Sequence, residues 1–395
     1  MIKTTYYQDL TKMNTFGMKV KARCFMEYDS VADLVDIEFE ELARPVLHIG
    51  GGSNLLFTDD FKGTVLHSKI DFIEVLGEKG HEGGVEKLNP SHSGEWAPPV
   101  HEATGGHGFS NHPHDPSIVL VSVGSGVVFD DFCAWAAKEG LWGVENLSYI
   151  PGEVGASAVQ NIGAYGVEVK DVIRKVYCYD TVEEEFVSFS VEECGYGYRD
   201  SIFKKQEVKG RYIVTHVVFA LSREPRPVLD YGHLKDAVSA TDCHLESSNC
   251  HSERSKESLT PALIRKVIIR IRKEKLPEPS VVGSAGSFFK NPVISAEHFA
   301  RIEAAAKAEH GPDYKVPHYD LPDGSVKVPA AWMIEQCGWK GKRSGGAAVW
   351  DKQPLVIVNY TGEAYPEEII GLERRIIASV KAKFGVELHP EVEHV

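Results

Sequence analysis

The apolar and polar positions along the chain predict strands and helices that recur through its length. Residues 20–28 alternate with the two-residue period of a half-buried strand. The apolar face of that strand consists of Val20, Ala22, Cys24, Met26 and Tyr28. Short apolar runs at 45–49 and 118–123, and runs rich in Val, Tyr and Phe at 172–180 and 211–220, predict further strands.

Helix signals lie between and after these strands. Ser30 precedes an apolar stripe, and Asp33 follows three residues later as a capping-box partner. Apolar residues recur at helical spacing after Phe129. The last helix begins at Pro366 and ends before Gly385, which suits a left-handed C-cap. Because strands and helices both recur, the predicted fold class is mixed α+β.

The composition is that of an ordinary globular protein. The chain has 395 residues, of which 43% are hydrophobic and 25% charged, and this length allows two or three domains. We expect neither a membrane span nor a secretory signal, because no apolar run approaches roughly 18 residues and the N-terminus is polar. Seven scattered cysteines do not form a disulfide framework, which favours a cytoplasmic location.

The charge balance limits the partners. The formal net charge is −14, with 43 Lys and Arg against 57 Asp and Glu. A nucleic-acid surface needs a basic stripe that engages phosphates, so no nucleic-acid partner is expected. One small basic pocket for an anionic substrate is compatible with this charge.

Two segments have few apolar side chains to bury. Residues 78–116 hold seven Gly, five Pro and six His at irregular spacing, which favours a flexible insert over a metal site. Residues 241–260 repeat a Cys-His pair in a Ser-rich, polar context. A zinc site there is conceivable, but a disordered insert is favoured because no hydrophobic frame would hold four ligands.

Two glycine-rich segments indicate close contact with the backbone. The sequence GGGSN at 50–54 follows a predicted strand, and its N–H groups could form a nest for phosphate oxygens or a tight hairpin turn. The segments PGEVGAS at 151–157 and QNIGAYG at 160–166 fit either a flat or polyanionic ligand or a packed loop crossing. Two such regions in one chain favour a dinucleotide. Neither a Walker A loop nor a complete Rossmann fingerprint is present.

Three further residues carry candidate chemistry. Arg199 lies between Tyr198 and Asp200, and its guanidinium could hold a carboxylate or form a surface ion pair. Ser287 lies between a glycine turn and two Phe residues without a GxSxG elbow, so it suits a proton source better than an acyl-transfer nucleophile. Glu391, near the C-terminus, indicates nothing by itself.

These motifs, in this order, resemble the UDP-N-acetylenolpyruvoylglucosamine reductase (MurB) family. The resemblance covers nearly the whole chain outside the two inserts. It rests on NTFG, GGGSNLL, IPG, QNIGAYG, GYRDSIFK, AGSFFKNP, IEQCG and PEV, which start at residues 14, 50, 150, 160, 197, 285, 334 and 390.

The resemblance implies an α+β fold with a two-part FAD-binding domain of the vanillyl-alcohol-oxidase (PCMH) type and a C-terminal α+β substrate-binding domain. The implied boundaries are 1–70 for the first FAD-binding subdomain and 71–276 for the second, which contains both inserts. Residues 277–395 would form the substrate-binding domain, with a C-terminal return that carries Glu391.

The resemblance also assigns site residues. Arg199, Ser287 and Glu391 match the catalytic positions. Non-covalently bound FAD would contact Gly50, Gly51, Gly52, Ser53, Asn54, Leu55, Pro151, Gly152, Gly155, Ala156, Ile162, Gly163 and Tyr165. The UDP-sugar would contact Tyr231, Lys275, Asn291 and Gln336. The segment around Tyr231 is similar to the longer of the family's two subtypes, in which a Tyr-bearing loop folds over the ligand.

The implied activity is NADPH-dependent reduction of UDP-N-acetylglucosamine enolpyruvate to UDP-N-acetylmuramate through FAD, in peptidoglycan precursor synthesis. Arg199 would stabilise the substrate carboxylate and Ser287 would deliver the proton. The small basic pocket for the anionic substrate is expected to include Arg272, Lys275 and Lys290. We expect a cytoplasmic monomer without a metal, a membrane or a nucleic-acid partner.

Three alternatives stay open on the sequence. The same FAD scaffold could serve an oxidoreductase for a hydroxy acid or alcohol, although the Ser287 motif with Glu391 argues against it. The His-rich segment could make the chain a metal-binding or interaction protein. A catalytically inactive paralogue is a third possibility, although Arg199, Ser287 and Glu391 are all in place.

Overall fold

A computed structural model describes residues 1–76, 115–245 and 259–395, with side chains left out at 242–245. Its strands are β1 (Lys3–Asp9), β2 (Lys21–Tyr28), β3 (Val46–Ile49), β4 (Leu55–Leu56), β5 (Phe61–Ser68), β6 (Ile73–Val75), β7 (Ile118–Gly124), β8 (Gly163–Ala164), β9 (Val167–Glu168), β10 (Ile173–Asp180), β11 (Glu185–Ser190), β12 (Tyr212–Ser222), β13 (Gly283–Ser284), β14 (Val293–Ser295), β15 (Tyr319–Asp320), β16 (Ser325–Lys327), β17 (Arg343–Ser344), β18 (Ala347–Val349), β19 (Ile357–Asn359) and β20 (Glu393–His394). Its helices are α1 (Val31–Val35), α2 (Phe129–Lys138), α3 (Val154–Gln160), α4 (Leu234–Leu245), α5 (Pro261–Lys275), α6 (Ala296–His310), α7 (Ala330–Gln336) and α8 (Pro366–Phe384).

The local signals in the sequence correctly place the eight elements that they predict, which are β2, β3, β7, β10, β12, α1, α2 and α8. The alternating run at 20–28 is β2, and the last helix begins at Pro366 and is followed by Gly385 with φ +68°. The capping box at α1 is only half formed, so that prediction is wrong in part. Ser30 Oγ accepts from Asp33 N at 3.1 Å, but the Asp33 carboxylate pairs with the N-terminal amino group instead of closing the box.

The chain packs as two compact units. The first comprises Met1–Gln8, Ala22–Gly51 and Lys62–Arg272. It contains a four-stranded sheet in the order β1-β2-β5-β3 and a five-stranded sheet in the order β11-β10-β12-β7-β6. Strands β3 and β5 are parallel, whereas the five-stranded sheet is antiparallel. The Phe132 side chain of α2 packs on Phe219 of β12 at 4.7 Å between ring centroids, which places the helix on this sheet.

The second unit comprises Asp9–Lys21, Gly52–Phe61 and Lys273–Val395. Its sheets have the orders β13-β19-β18-β17 and β14-β16-β15, and the last strand, β20, pairs in parallel with β4. Helix α8 buries one apolar stripe, which consists of Ile369, Leu372, Ile376 and Val380. The boundaries 1–70, 71–276 and 277–395 stay predictions, because these units describe packing alone.

The two predicted inserts lie largely outside the described residues. Helix α4 continues through five residues of the segment 241–260, so the regular structure extends further than the sequence predicts. Asp115, at the end of the segment 78–116, accepts from Ser117 N at 2.9 Å and forms the turn into β7. Within the described ranges, no helix is long and apolar enough to cross a membrane.

A buried ion pair joins β10 to the residue that precedes β12. Asp180 is 2% exposed, and Arg211 donates to both of its carboxylate oxygens at 2.6–2.9 Å. Burial raises the pKa of Asp180, but the bonds from Arg211 and from two backbone N–H groups outweigh this effect, so its pKa is lowered. The carboxylate therefore stabilises the fold above its unfolded pKa of about 3.9, and the stability is lost as the pH falls through the lower folded value.

We therefore expect Asp180→Asn to lower the free energy of unfolding at pH 7 by about 2–3 kcal/mol, because a charged hydrogen-bond acceptor is lost. The deficit should shrink as the pH falls below about 4. Urea unfolding of the variant and the parent at both pH values tests this, with Asp36→Asn as a control at an exposed carboxylate. A deficit that is independent of pH would contradict the ion-pair explanation.

Candidate functional site

The predicted cofactor segments of the first unit lie against each other backbone to backbone. A Cβ added to Gly51 would lie 3.4 Å from Gly152 Cα, and one added to Gly50 would lie 3.1 Å from Ala156 Cβ. A Cβ at Gly155 would lie 2.8 Å from Ser125 Cβ. Glycine is therefore required at 50 and 155 for packing between segments of the protein, whereas Gly51 lies in ordinary contact with Gly152. Together these contacts form one glycine-lined wall.

Backbone hydrogen bonds fix the second glycine segment along the residues that lead into α2. Phe129 N donates to Gly152 O at 3.0 Å, Val154 N donates to Val127 O at 2.9 Å, and Gly155 N donates to Ser125 O at 3.0 Å. Ser125 Oγ is also 2.7 Å from Ser68 Oγ at the end of β5. The sequence Gly124-Ser125-Gly126, which lacks the third glycine of a Rossmann fingerprint, is thus part of the same glycine-lined wall.

The first glycine turn continues into the second unit, where it meets the C-terminal strand. Asn54 Nδ2 donates to Glu391 O at 3.1 Å, and Glu393 N donates to Asn54 O at 2.9 Å. Gly52 has φ +59°, and a Cβ there would lie 1.9 Å from Met13 O. Ser53 and Leu55 belong to the same turn and the start of β4. Asn54, predicted as a cofactor residue, therefore holds the segment that carries Glu391.

Arg199 is anchored on the glycine segment of the first unit. Its backbone is left-handed, with φ +55°, which is uncommon for a residue other than glycine and is typical of functional sites. Its Nη2 donates to Gly163 O at 2.6 Å, and the guanidinium lies 5.3 Å from the centroid of the Tyr198 ring. The neighbouring Lys204 Nζ donates to Arg199 O at 3.3 Å. The structure thus brings Arg199 together with the predicted cofactor residue Gly163.

Tyr231 lies beside Tyr165. The two rings meet edge to face, with centroids 6.2 Å apart, and Tyr231 is 42% exposed. Burial raises the pKa of Tyr165, although the nearby Arg272 opposes this. Arg272 Nε donates to Tyr149 O at 3.0 Å, and burial lowers the pKa of its guanidinium. Among the described residues no carboxylate lies within ion-pairing distance of Arg272.

Ser287 and Glu391 are brought together in the second unit. The backbone N–H of Glu391 donates to Phe288 O at 2.8 Å, and Lys290 N donates to His389 O at 2.9 Å. Phe288 and Phe289 are each 1% exposed, whereas Ser287 itself is exposed. The two buried rings therefore anchor the loop that carries the exposed Ser287.

The remaining predicted substrate residues are spread over the second unit. Lys275 ends α5, and its carbonyl accepts from Trp350 Nε1 at 3.1 Å. Asn291 Oδ1 accepts from Ala330 N at 2.9 Å, which caps the start of α7. Gln336 ends α7, about 10 Å along the helix axis from its first residue, and its Oε1 is 3.1 Å from His310 Nε2. Asn291 and Gln336 therefore lie at opposite ends of α7.

Gln336 lines a surface cavity of about 170 Å³ between α6, α7 and α8. His310, Lys383 and Trp332 contribute to the same cavity. Lys383 Nζ donates to Gln336 O at 3.2 Å and pairs with Glu309, so much of its polar lining is already paired within the protein.

The sequence analysis did not select two residues that organise these segments. Asn161 is fully buried, and its Nδ2 donates to Gly197 O at 2.8 Å, which ties the Arg199 turn to α3. His67 is 3% exposed and lies 3.0 Å from Glu153 Oε1, beside the glycine contacts. Asn161 could have been found from its place in QNIGAYG, whereas no local signal marks His67.

Comparisons with known proteins indicate the family of this chain. A model of the UDP-N-acetylenolpyruvoylglucosamine reductase C-terminal domain matches residues 278–395, and an FAD binding domain model matches residues 108–186. The chain is 44% identical over 387 residues to UDP-N-acetylenolpyruvoylglucosamine reductase of Bacteroides fragilis strain YCH46, with 98% of each chain covered. It is 40% identical over 391 residues to the Porphyromonas gingivalis protein of that name, with 98% of this chain and 97% of the relative covered.

The solved structure of UDP-N-acetylenolpyruvylglucosamine reductase (MurB) from Thermus caldophilus shares the fold, with a TM-score of 0.57 at 21% identity. The structural match covers 100% of this chain and 98% of the Thermus caldophilus chain. Fold and matches define an FAD-binding protein of α+β class, with a PCMH-type FAD-binding domain and a C-terminal α+β domain, so the predicted fold class is confirmed. The chain belongs to the UDP-N-acetylenolpyruvoylglucosamine reductase family.

The packing role of the first glycine turn is testable with two glycines of the second unit. Both Gly52 and Gly17 have positive φ, but a Cβ at Gly17 meets nothing within 4 Å. Gly17→Ala should cost about 1–2 kcal/mol from backbone strain, and Gly52→Ala should cost about 2 kcal/mol more, because Met13 O blocks the methyl group. Thermal unfolding of the two variants measures the difference, and equal losses would contradict the packing explanation.

Proposed function

We propose that this chain reduces UDP-N-acetylglucosamine enolpyruvate to UDP-N-acetylmuramate with electrons from NADPH, through non-covalently bound FAD. The observations that carry the proposal are the pairing of the Ser287 loop with the Glu391 segment within the second unit and the anchoring of Arg199 on a glycine segment within the first unit. Membership of the reductase family and the match to an FAD binding domain support the same activity. The product is a precursor of peptidoglycan.

The residues present fit FAD. The glycine segments expose backbone without Cβ atoms, and they contain no charged side chain other than the buried Glu153. Arg272 supplies a buried guanidinium, which suits a diphosphate, and the charge of Asp130 offsets only part of the cost of its burial. We propose that residues 50–55, with Pro151, Gly152, Gly155, Ala156, Ile162, Gly163 and Tyr165, hold the cofactor. FAD, when bound, supplies the hydride chemistry.

The substrate is an enol ether that bears a carboxylate, and reduction places negative charge at the carbon next to that carboxylate. We assign Arg199 to the carboxylate, where its guanidinium stabilises the charge more in the transition state than in the ground state. Ser287 acts as the general acid that protonates the carbon. A serine hydroxyl is a weak acid, but a carbanion is a strong enough base to accept its proton.

We assign Glu391 a role as a protonated or hydrogen-bonded partner of this step, because a bare carboxylate beside the enolate would repel it. Tyr231, Lys275, Asn291 and Gln336 are proposed to bind the UDP-sugar. The exposed ring of Tyr231 beside Tyr165 supports the longer, Tyr-bearing subtype. Of these four residues, Gln336 has the least structural support as a substrate ligand, because its hydrogen bond to His310 directs the amide toward α6.

We further propose that residues 1–70 and 71–276 bind FAD, that 277–395 bind the substrate, and that the enzyme is a cytoplasmic monomer. The cysteines support a reducing compartment, because the five with described side chains are free thiols. The net charge of −14 supports the absence of a nucleic-acid partner.

The purified protein should show a flavin spectrum that NADPH bleaches and that UDP-N-acetylglucosamine enolpyruvate restores. Ser287→Ala should slow the substrate-dependent return by roughly 10²–10⁴-fold, while the rate of bleaching by NADPH stays near that of the parent. Stopped-flow absorbance measures both rates in one experiment. A protein without flavin, or a return of the spectrum that does not depend on substrate, would refute the assignment.

Ser379→Ala is the matched control for this test. Ser379 is an exposed serine of the second unit whose hydroxyl donates to Arg375 O at 2.8 Å. Its removal should change neither rate. Equal slowing by Ser287→Ala and Ser379→Ala would show that the loss is not specific to a proton donor.

A further inference from the structure

A buried charge cluster lies behind the glycine segments of the first unit. His67, at the end of β5, has a carboxylate at each ring nitrogen: Glu153 Oε1 lies 3.0 Å from Nε2 and Glu27 Oε1 lies 3.3 Å from Nδ1. His67 is 3% and Glu153 8% exposed, whereas Glu27 is partly exposed. The cluster joins β2, β5 and the segment that precedes α3.

The cluster touches the glycine contact directly. A Cβ at Gly50 would lie 3.2 Å from Glu153 Oε2 and 3.5 Å from Glu153 Cβ. The carboxylate that pairs with His67 through one oxygen thus packs against the first glycine turn through the other. Gly152, the neighbour of Glu153 in the chain, is the residue on which Gly51 lies.

The segment is consequently held from two sides. Backbone bonds from Phe129, Val154 and Gly155 tie it to the residues that lead into α2. On the other side, the His67–Glu153 contact ties it to β5. Burying ionisable groups is costly unless they are paired, so a buried pair that is broken leaves an uncompensated charge and moves its surroundings.

Other ionisable groups also face this cluster. His48 Nε2 is 2.7 Å from Tyr28 Oη, and the pKa of His48 is lowered to about 4, mainly by burial and also by the neighbouring His67. Lys3 Nζ lies 3.8 Å from Glu27 Oε2. His67 is therefore flanked by two carboxylates, whereas its neighbour His48 stays uncharged at neutral pH.

We propose that His67 is a positioning residue for the cofactor, which it serves by holding Glu153 and so fixing the glycine segment 151–156 against the turn at Gly50 and Gly51. His67 acts through Glu153 and the backbone, without touching the cofactor itself. The inference rests on the proposed function only in that the chain binds FAD.

The test is a titration of the apoprotein with FAD in which flavin fluorescence monitors binding. His67→Gln and Glu153→Gln should each raise the FAD Kd about tenfold, the equivalent of about 1.4 kcal/mol. The double variant should be scarcely worse than either single variant, because both changes break one interaction. At saturating FAD, the visible circular dichroism of the bound flavin should also differ from that of the parent, since the glycine wall has moved.

His216→Gln is the matched control. His216 is another histidine of the first unit and is partly buried, but it stacks on Tyr177 at 4.2 Å between ring centroids and pairs with Thr215 Oγ1 at 3.1 Å. Its loss should lower the unfolding temperature and leave both the FAD Kd and the flavin dichroism unchanged. An equal rise in Kd for His216→Gln would show that general destabilisation, and not positioning, governs FAD binding, and would overturn the inference.

The outcomes separate the two proposals. Unchanged Kd and dichroism in His67→Gln and Glu153→Gln, with tight FAD binding by the parent, would overturn the positioning role alone. Additive effects in the double variant would also overturn it, because the two residues would then act independently. A parent protein that binds no FAD would overturn the proposed function and this inference together.

Discussion

The wall of the candidate cofactor site depends on the absence of side chains at a few glycines. Gly155 approaches Ser125, and Gly50 approaches Ala156 and Glu153, at distances that leave no room for a methyl group without movement. Gly51 lies in ordinary van der Waals contact with Gly152. Because these contacts involve only backbone and a few side-chain atoms, they carry little hydrophobic energy of their own. Their geometry must be imposed by neighbouring groups, which here are the strand-like hydrogen bonds to 125–129 and the buried contact of Glu153 with His67.

This constraint explains why the ionisable side chains of His67 and Glu153 are buried beside the glycine segments. A glycine-rich segment is conformationally permissive, and its unfolded state is entropically favoured. Directional interactions such as a charged hydrogen bond define one position for it more sharply than apolar packing does. The same logic applies to Arg199, whose left-handed backbone is over-determined by bonds from its guanidinium to Gly163 O and from Lys204 to its own carbonyl.

Local signals in the sequence predicted the helix boundaries that nearby side chains determine. The start of α8 at Pro366, its end before Gly385 and the N-cap at Ser30 follow from side chains within one turn of each boundary. The capping box at Asp33 failed because the N-terminal amino group competes for that carboxylate. The motifs of the site were visible through family resemblance, but their contacts were not.

What the sequence could not predict is long-range. His67 and Glu153 are 86 residues apart, and Asn54 and Glu391 are 337 apart. No periodicity or composition joins such pairs, because only the folded sheets bring them together. The glycines illustrate the ambiguity well: their sequence fitted ligand approach and loop packing equally, and the structure shows that the packing is present while leaving backbone for a ligand.

The C-terminal return holds Glu391, a residue without any local signal in the sequence, in a fixed segment. Glu391 lies four residues before Val395, and residues near a terminus are usually poorly held. Its segment is fixed by Phe288 O, by Asn54 and by the parallel pairing of β20 with β4. The buried Glu373 of α8 adds a contact of 3.1 Å to His394 in the same strand. A weak acid such as Ser287 is useful only if its proton is delivered along one direction, so a rigid partner strand beside its loop is what the proposed chemistry requires.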